Sequence, residues 1–320
     1  MDQPQIKIST AANVALIKYW GKTSSEMNMP AVPSLSIGME DLRTETIIRF
    51  SNTDDILHGS FNPKQKDRIL GYLGETKKRY HVTRKLSIDT RNNFPSSTGL
   101  ASSASGFAAL AIGLNSFLDL GLSDEDISRL ARRGSGSSAR SVFGGYVEML
   151  AGKDSFARPL MSAKSWPLDI IVMITDEKEK KVSSSEAMEI SRRSSPFYSA
   201  WVDSHAEDFD GARQAILKKD FWELAKFSER NCLKMHATIM TSGPAIMYWN
   251  SATLAIIRHV NKIRESGTNV FFTIDAGPQV KLICDPGDTE KIVKEFEPIN
   301  GIARKIITRV GGTPKIETRK

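Results

Sequence analysis

Apolar and polar positions along the chain switch repeatedly between two periods. Ile6 to Trp20 reads as mostly strand and closes on the apolar run Val14-Ala15-Leu16-Ile17. Thr44 to Phe50, rich in Thr and Ile, predicts another strand, as does Lys85 to Thr90. Between them, Lys64 to Arg79 takes helical spacing, with Ile69, Leu70 and Leu73 on one face. Gly99 to Leu118 predicts a small-residue helix carrying Leu110, Leu114 and Leu118. Ser123 followed by Asp126 has the form of a capping box for a helix ending before Gly134, and Val142 to Leu150 returns to strand. Leu168 to Thr175 is almost continuously apolar and predicts a buried strand.

The pattern then changes. Glu177-Lys178-Glu179-Lys180-Lys181 is a charged connector, and Ser183 to Ser266 is chiefly helical. Strands at Asn269 to Ile274 and Val280 to Cys284, a helix from Asp288 to Glu297 and a short strand near Ala303 to Thr308 complete the chain. The expected class is α+β in two domains, 1–176 and 177–320. A chain of 320 residues is long enough for two cores, and 40% hydrophobic with 25% charged residues excludes a disordered protein. No apolar run approaches the roughly 20 residues of a membrane-spanning helix. The first residues lack the layout of a secretory signal. Cys232 and Cys284, the only cysteines, are too few for a disulfide framework or a zinc cage, so a reducing cytoplasm is expected. The net charge of +7 admits either nucleic acid or phosphorylated metabolites as partners. The basic runs Lys77 to Arg79 and Lys178 to Lys181 have acidic neighbours and read as solvated faces. Aromatics are not interleaved with them as RNA-stacking platforms require, so no nucleic-acid partner is expected.

Four segments carry candidate chemistry. Lys18-Tyr19-Trp20-Gly21-Lys22 places two cations and two aromatics at the end of a buried strand, poor core material but suited to the wall of an anion site. Asn93-Phe94-Pro95-Ser96-Ser97-Thr98-Gly99-Leu100-Ala101-Ser102-Ser103-Ala104 follows a strand and opens a helix. Its small residues would let phosphates reach the unsatisfied N–H groups of the first turn, and its hydroxyls add donors or a magnesium ligand. It is neither a Walker motif nor a dinucleotide fingerprint, and it equally describes a Ser-rich capped helix packed on a sheet. Arg133-Gly134-Ser135-Gly136-Ser137-Ser138-Ala139-Arg140-Ser141 exposes consecutive N–H groups and hydroxyls, a nest for anions, with Arg140 as a planar, permanently charged fork. A flexible linker is the alternative, disfavoured by its place between a capped helix and a strand. Asp275 ends an apolar strand before Gly277-Pro278. It either accepts N–H bonds from its own turn or serves a substrate hydroxyl as base or orienting group, kept ionised by a lysine such as Lys18. The five histidines are dispersed without metal-ligand spacing, and His236 and Cys232 read as structural groups on a helix.

The pattern Pro-x-x-x-Gly-Leu-x-Ser-Ser-x-Ala from Pro95 resembles the ATP loop of the GHMP kinases. Ala-Leu-Ile-Lys-Tyr-Trp-Gly-Lys at residues 15–22, Asn92-Asn93-Phe94-Pro95, Gly134 to Arg140, Ser183-Ser184-Ser185, Ser195-Pro196-Phe197 and Asp275-Ala276-Gly277-Pro278 resemble, in order, the mevalonate diphosphate decarboxylase branch. The resemblance implies a ribosomal-protein-like N-terminal domain, a C-terminal domain with a ferredoxin-like core, and an active site between them. It implies ATP with Mg2+ and a phosphorylated mevalonate substrate, whose 3-hydroxyl is phosphorylated before phosphate and CO2 leave. Asp275, Lys18 and Arg140 become the catalytic candidates. Tyr19, Trp20, Gly21, Lys22, Ser135, Gly136, Ser137, Ser138, Ala139, Ser185 and Met188 become the substrate-binding ones. Asn93, Pro95, Ser96, Ser97, Gly99, Leu100, Ala101, Ser102 and Ser103 become the ATP-binding ones. A homodimer is also implied; no metal ligand is named. There are departures: Ala31-Val32-Pro33 precedes Ser34-Leu35-Ser36, Gln279 stands where Asn is usual, and Ser185 stands where an arginine or threonine is usual. They leave a mevalonate 5-phosphate decarboxylase and a mevalonate 3-kinase as alternatives; an RNA-binding module is the remote one.

Overall fold

The structure is a computed structural model that describes residues 4–95, 102–178 and 180–319. The chain opens with β1 (Gln5–Ile17), a short hairpin β2 (Lys22–Ser24) and β3 (Met29–Pro30), then β4 (Ser34–Ser51) and β5 (Ile56–His58). Next come α1 (Pro63–Arg79), β6 (Lys85–Asn92), α2 (Ser102–Leu118), α3 (Asp124–Gly134), the one-turn α4 (Ser138–Ser141), β7 (Tyr146–Met149) and β8 (Ala157–Met161). After β9 (Asp169–Ile174) stand five helices: α5 (Ser184–Ser194), α6 (Tyr198–Asp203), α7 (His205–Lys218), α8 (Phe221–Met240) and α9 (Ser251–Glu265). The chain closes with β10 (Val270–Ile274), β11 (Val280–Cys284), α10 (Thr289–Glu295), β12 (Arg304–Arg309) and β13 (Lys315–Arg319).

The expected α+β class holds. β1 and β4 pair antiparallel over nearly their whole length, from Gln5 opposite Arg49 to Ile17 opposite Leu35, with register shifts after Ala11 and Ala15. They lie at the centre of a seven-stranded sheet ordered β13-β1-β4-β6-β5, with β7 and β8 extending from the Ser34–Ile37 end of β4. One face of this sheet packs α1, α2 and α3 around Ile8, Ile48, Leu86, Ile88, Leu110 and Leu114. A second sheet, ordered β10-β11-β9-β12, is antiparallel throughout. One of its faces buries Phe272 and Leu282 with Ile256 and Val260 of α9. The other buries Ile170, Val172, Phe271 and Ile283 with Phe209 and Phe221 of α7 and α8, and with Val14, Leu16, Leu35 and Ile37 of the first sheet. That shared core fuses the two sheets.

Three differences from the sequence pattern have physical causes. The Gly/Ser loop before Arg140 contains one helical turn, α4, where hydroxyl-rich small residues tolerate either state. The strand expected over Val142 to Leu150 is cut to β7 because Gly144 and Gly145 turn the chain, Gly145 at φ +75°. The unexpected β13 returns to pair with β1; Lys-Ile-Glu-Thr-Arg is a polar edge strand too short to show a pattern.

Gly113 sets how closely α2 lies on the sheet. A Cβ there would sit 2.6 Å from Cδ1 of Ile8 and 2.7 Å from Cδ1 of Ile48. Gly113→Val is expected to lower stability by about 1–3 kcal/mol, the usual cost of overpacking. Urea denaturation would read it as a lower midpoint; an unchanged midpoint would mean that α2 can shift without loss.

Candidate active site

β1 and β10 end side by side at the seam of the two sheets, and each delivers a charge there. Past Ile17, the buried Lys18 directs Nζ to the carbonyl of Ala15 (2.8 Å) and to Oδ1 of Asp275 (2.8 Å). Its backbone N–H donates to Oδ1 of Asn231 on α8 (2.8 Å). The Asn231 amide in turn donates to Oδ2 of Asp208 (3.1 Å), a fully buried carboxylate also held by Arg230 and Lys234. Strand alternation puts Phe271, Thr273 and Asp275 on the side facing β1, where the Thr273 hydroxyl donates to Ala15 O (3.2 Å). Lys281, directly across the hairpin from Thr273, shares that face and places Nζ 3.2 Å from Oδ2 of Asp275. Burial alone would push the Asp275 carboxyl up. The two ammonium groups outweigh it and hold the group well below the usual carboxylate range. Asp275 is thus an ionised side chain, a quarter exposed, between two lysines that are almost wholly buried.

Arg140 lies on α4, 2% exposed. Its Nη1 donates to the Ser34 hydroxyl (2.6 Å) and its Nη2 to Oδ1 of Asn13 (3.4 Å), while Nε is buried without a partner among the described residues. Burial lowers its pKa to about 10 against the opposing pull of Asp275, so it is a cation at neutral pH. Asn13 also donates to Ser137 O and to the Ser141 hydroxyl, which pins α4 to β1. Ser34 follows Pro33, whose carbonyl accepts from Nε2 of His205 (2.7 Å). Burial lowers that imidazole to about 4, so it is neutral with the proton on Nε2.

The Ser135–Ala139 segment wraps Tyr19. Any Cβ on Gly136 would collide with the Tyr19 ring, whose hydroxyl donates to Asn28 O (2.9 Å). Ser103, Ser135 and Ser137 form a string of hydroxyls spaced 3.4 Å apart, and the Ser138 hydroxyl donates to Ser103 O. Gly21, at φ +93°, passes under Tyr198, where a side chain would meet the phenol. Lys22 then reaches the Ser185 hydroxyl (3.0 Å). Lys180 leaves the connector, donates to Ala276 O (2.9 Å) and the Ser184 hydroxyl (2.7 Å), and sits over the Tyr248 ring. Burial lowers both Lys22 and Lys180 to about 8.

Other candidates stand elsewhere. Trp20 and Met188 are buried in an apolar cluster with Trp201 and Met235, so Trp20 is core material after all. Asn93 is tied into the first sheet, accepting from Arg43 N and donating to Asp41 O. Pro95 and Ser102 flank Ser96, Ser97, Gly99, Leu100 and Ala101, which lie outside the described residues. His236 and Cys232 both contact Ile274 on β10 from α8.

A family model described as the diphosphomevalonate decarboxylase-like N-terminal domain matches residues 10–158, and one described as the mevalonate 5-diphosphate decarboxylase C-terminal domain matches residues 170–318. The chain belongs to the diphosphomevalonate decarboxylase family. The diphosphomevalonate decarboxylase of Saccharomyces cerevisiae is 32% identical, with 94% of this chain and 84% of the relative covered. The crystal structure of mevalonate diphosphate decarboxylase from Staphylococcus aureus superposes with a TM-score of 0.91 at 35% identity, covering 100% of this chain and 99% of that one. A structure of MDDEF in complex with MVAPP, AMPPCP and magnesium gives 0.89 at 34% identity, with both chains fully covered. The α+β, two-domain architecture of this family is therefore the fold of this chain.

Lys281, Lys180, Asn13, Ser34 and Asn231 join the candidate site beyond the sequence pattern, through their contacts with Asp275, Ala276, Arg140 and Lys18. Lys281 has a readable sign, a lone cation inside the apolar Val280–Cys284 strand, and it pairs with Thr273, two residues before Asp275. Asn13 likewise interrupts an apolar run. Lys180 has none, because its neighbours in the charged run are indistinguishable from it. Burial makes Lys22 and Lys180 lose their protons as pH rises through about 8, well before an exposed lysine. Lysine 15Nζ NMR on the ligand-free protein, assigned with Lys22→Met and Lys180→Met, should find both titrating near that pH. Midpoints above 10 for both would refute the desolvated environment.

Proposed function

We propose that this chain catalyses the ATP-dependent decarboxylation of (R)-5-diphosphomevalonate to isopentenyl diphosphate, ADP, phosphate and CO2, a step of isoprenoid synthesis. The observation that carries the reading is the Lys18–Asp275 pair at the seam of the two sheets, with Arg140 near enough for Asp275 to act on it electrostatically. A tertiary alcohol is a poor nucleophile. Ionised Asp275 would orient the 3-hydroxyl toward the γ-phosphate and take its proton as the new P–O bond forms. Lys18 would screen the charge that accumulates between the phosphoryl group and the substrate. Arg140, with a buried N–H to spare, would hold the substrate carboxylate. When the 3-phosphate leaves with its bonding electrons, C3 is left electron-poor. The carboxylate then departs as CO2, and the electron pair of the broken C–C bond becomes the new double bond.

Tyr19, Lys22, the Ser135–Ala139 segment and Ser185 would hold the diphosphate end. Ser103, at the start of α2, and Lys180 would face the nucleotide phosphates. Among the described residues no group of three or more His, Cys, Asp or Glu is arranged to hold a metal ion. Magnesium carried by a nucleotide needs only one or two protein oxygens beside the phosphates, and the Ser103–Ser135–Ser137 hydroxyls fit that demand. Bound there, it would neutralise phosphate charge.

The organisation is part of the same reading. Two units were expected to meet at residue 176. β9, which lies between two strands of the second sheet, argues for drawing the seam before Asp169. Free, buried Cys232 and Cys284 support a reducing, cytoplasmic setting. A homodimer is carried on the family resemblance alone.

The test is release of CO2 and phosphate with ATP and magnesium, comparing mevalonate 5-diphosphate with mevalonate 5-phosphate. Turnover of the diphosphate, with Asp275→Asn slower by about 10²–10⁴-fold, is expected. Turnover of the monophosphate alone would move the enzyme to another substrate, as Ser185 in place of an arginine allows. Undiminished turnover by Asp275→Asn would remove the role given to that carboxylate.

A further inference from the structure

Lys281 occupies a position that chain physics reserves for an apolar side chain. It is the second residue of Val280–Cys284, every residue of which is buried, on the face that also buries Phe271 and Ile283. An ammonium in such a place is costly unless an anion meets it. The anion is Oδ2 of Asp275 at 3.2 Å, and Nζ also contacts Gln279 O at 3.4 Å. Lys18 takes the other carboxylate oxygen. The two lysines differ in what else they can do. Both are 1% exposed, but Lys18 heads the segment of candidate substrate ligands, Tyr19 to Lys22, whereas Lys281 is enclosed within the β10–β11 hairpin.

We propose that Lys281 is a positioning residue for phosphoryl transfer: it fixes Oδ2 of Asp275 so that the carboxylate keeps its charge and aim while Lys18 turns to the incoming phosphate. This rests on the function proposed above. Without Lys281, the moment at which Lys18 engages phosphate would leave the largely shielded Asp275 with its nearest cation occupied, and desolvation would favour its protonated form. The other groups around Asp275 do not replace Lys281. Lys180 from the connector and Arg140 from α4 act at longer range. Cys232 and His236 of α8 bring no charge, since burial raises the thiol and lowers the imidazole to about 3.

The test is the pH dependence of kcat, which reports the substrate-bound enzyme, for wild type, Lys281→Met, Lys281→Arg, Asp275→Asn and the double variant. Lys281→Met is expected to lower kcat about tenfold to a hundredfold at pH 7, with KM for ATP within about twofold. Its acid limb should move upward by about one unit or more, since loss of a neighbouring cation makes the carboxyl easier to protonate. Lys281→Arg should restore most of the rate and the original limb. Lys281→Met added to Asp275→Asn should cost little further in kcat, because the proposal routes the catalytic effect of the lysine through that carboxylate. A uniform loss at every pH with no rescue by arginine overturns the proposal, as does a further tenfold drop in the double variant. Should Lys281→Met fail to fold, comparing the double variant with Asp275→Asn decides alone, since both lack the Asp275 charge and the double variant carries one buried unpaired cation fewer. If Asp275→Asn itself turns over normally, the proposed function fails. If only Lys281→Met does so, the positioning role fails.

Discussion

A carboxylate three-quarters shielded from water between two buried ammonium groups is the constraint around which this molecule is arranged. Asp275 belongs to the second sheet, Lys18 to the end of the first, and Lys281 to the hairpin partner of Asp275. Each charge alone would be expelled from such a place. Together they are stable only when the strand ends meet to within hydrogen-bonding distance. Removing one partner from a buried pair commonly costs about 3–5 kcal/mol, so this cluster couples the approach of the two sheets to the ionisation of the site.

The surrounding structure serves that approach. The apolar core shared by Val14, Leu16, Leu35, Phe209 and Phe271 crosses from one sheet to the other. A second ionic bridge crosses nearby, where buried Glu148 of β7 is gripped by Arg158 of β8 and Arg213 of α7. Asn231 works at shorter range. It holds the backbone of Lys18 and leans on Asp208, itself neutralised by Arg230 and Lys234. His205 sits 3.4 Å from the same amide and steadies Pro33, next to the Ser34 that receives Arg140. The two halves of the site thus share one polar scaffold on α7 and α8.

How much of this was legible follows from the length of each signal. Long periodic segments declare themselves, as in β1, α1 and the helices beyond Ser183, because many residues repeat the same demand. The Lys18–Asp275 pairing was expected and is present, since both charges end apolar strands, where a charge needs a reason. Two kinds of feature were not legible. Short polar strands such as β13 are defined by the partner they find, which lies some 300 residues away in the sequence. Single polar residues such as Asn231, or Lys180 within a charged run, acquire their meaning only from neighbours that the fold supplies. Trp20 shows the converse: a residue set between two lysines, poor core material by its pattern, is packed in an apolar cluster.

The most direct test of this account is the ionisation of Asp275 in the ligand-free protein. The 13C resonance of its labelled carboxyl, assigned by its loss in Asp275→Asn, can be followed from neutral pH into the acid range. The two lysines should keep the group ionised below the point, about 4, at which an ordinary aspartate takes up half a proton. The resonance should therefore stay unshifted while exposed carboxylates titrate. A midpoint at or above the ordinary value would mean that burial prevails over the lysines, and the charge cluster could not be what organises the site.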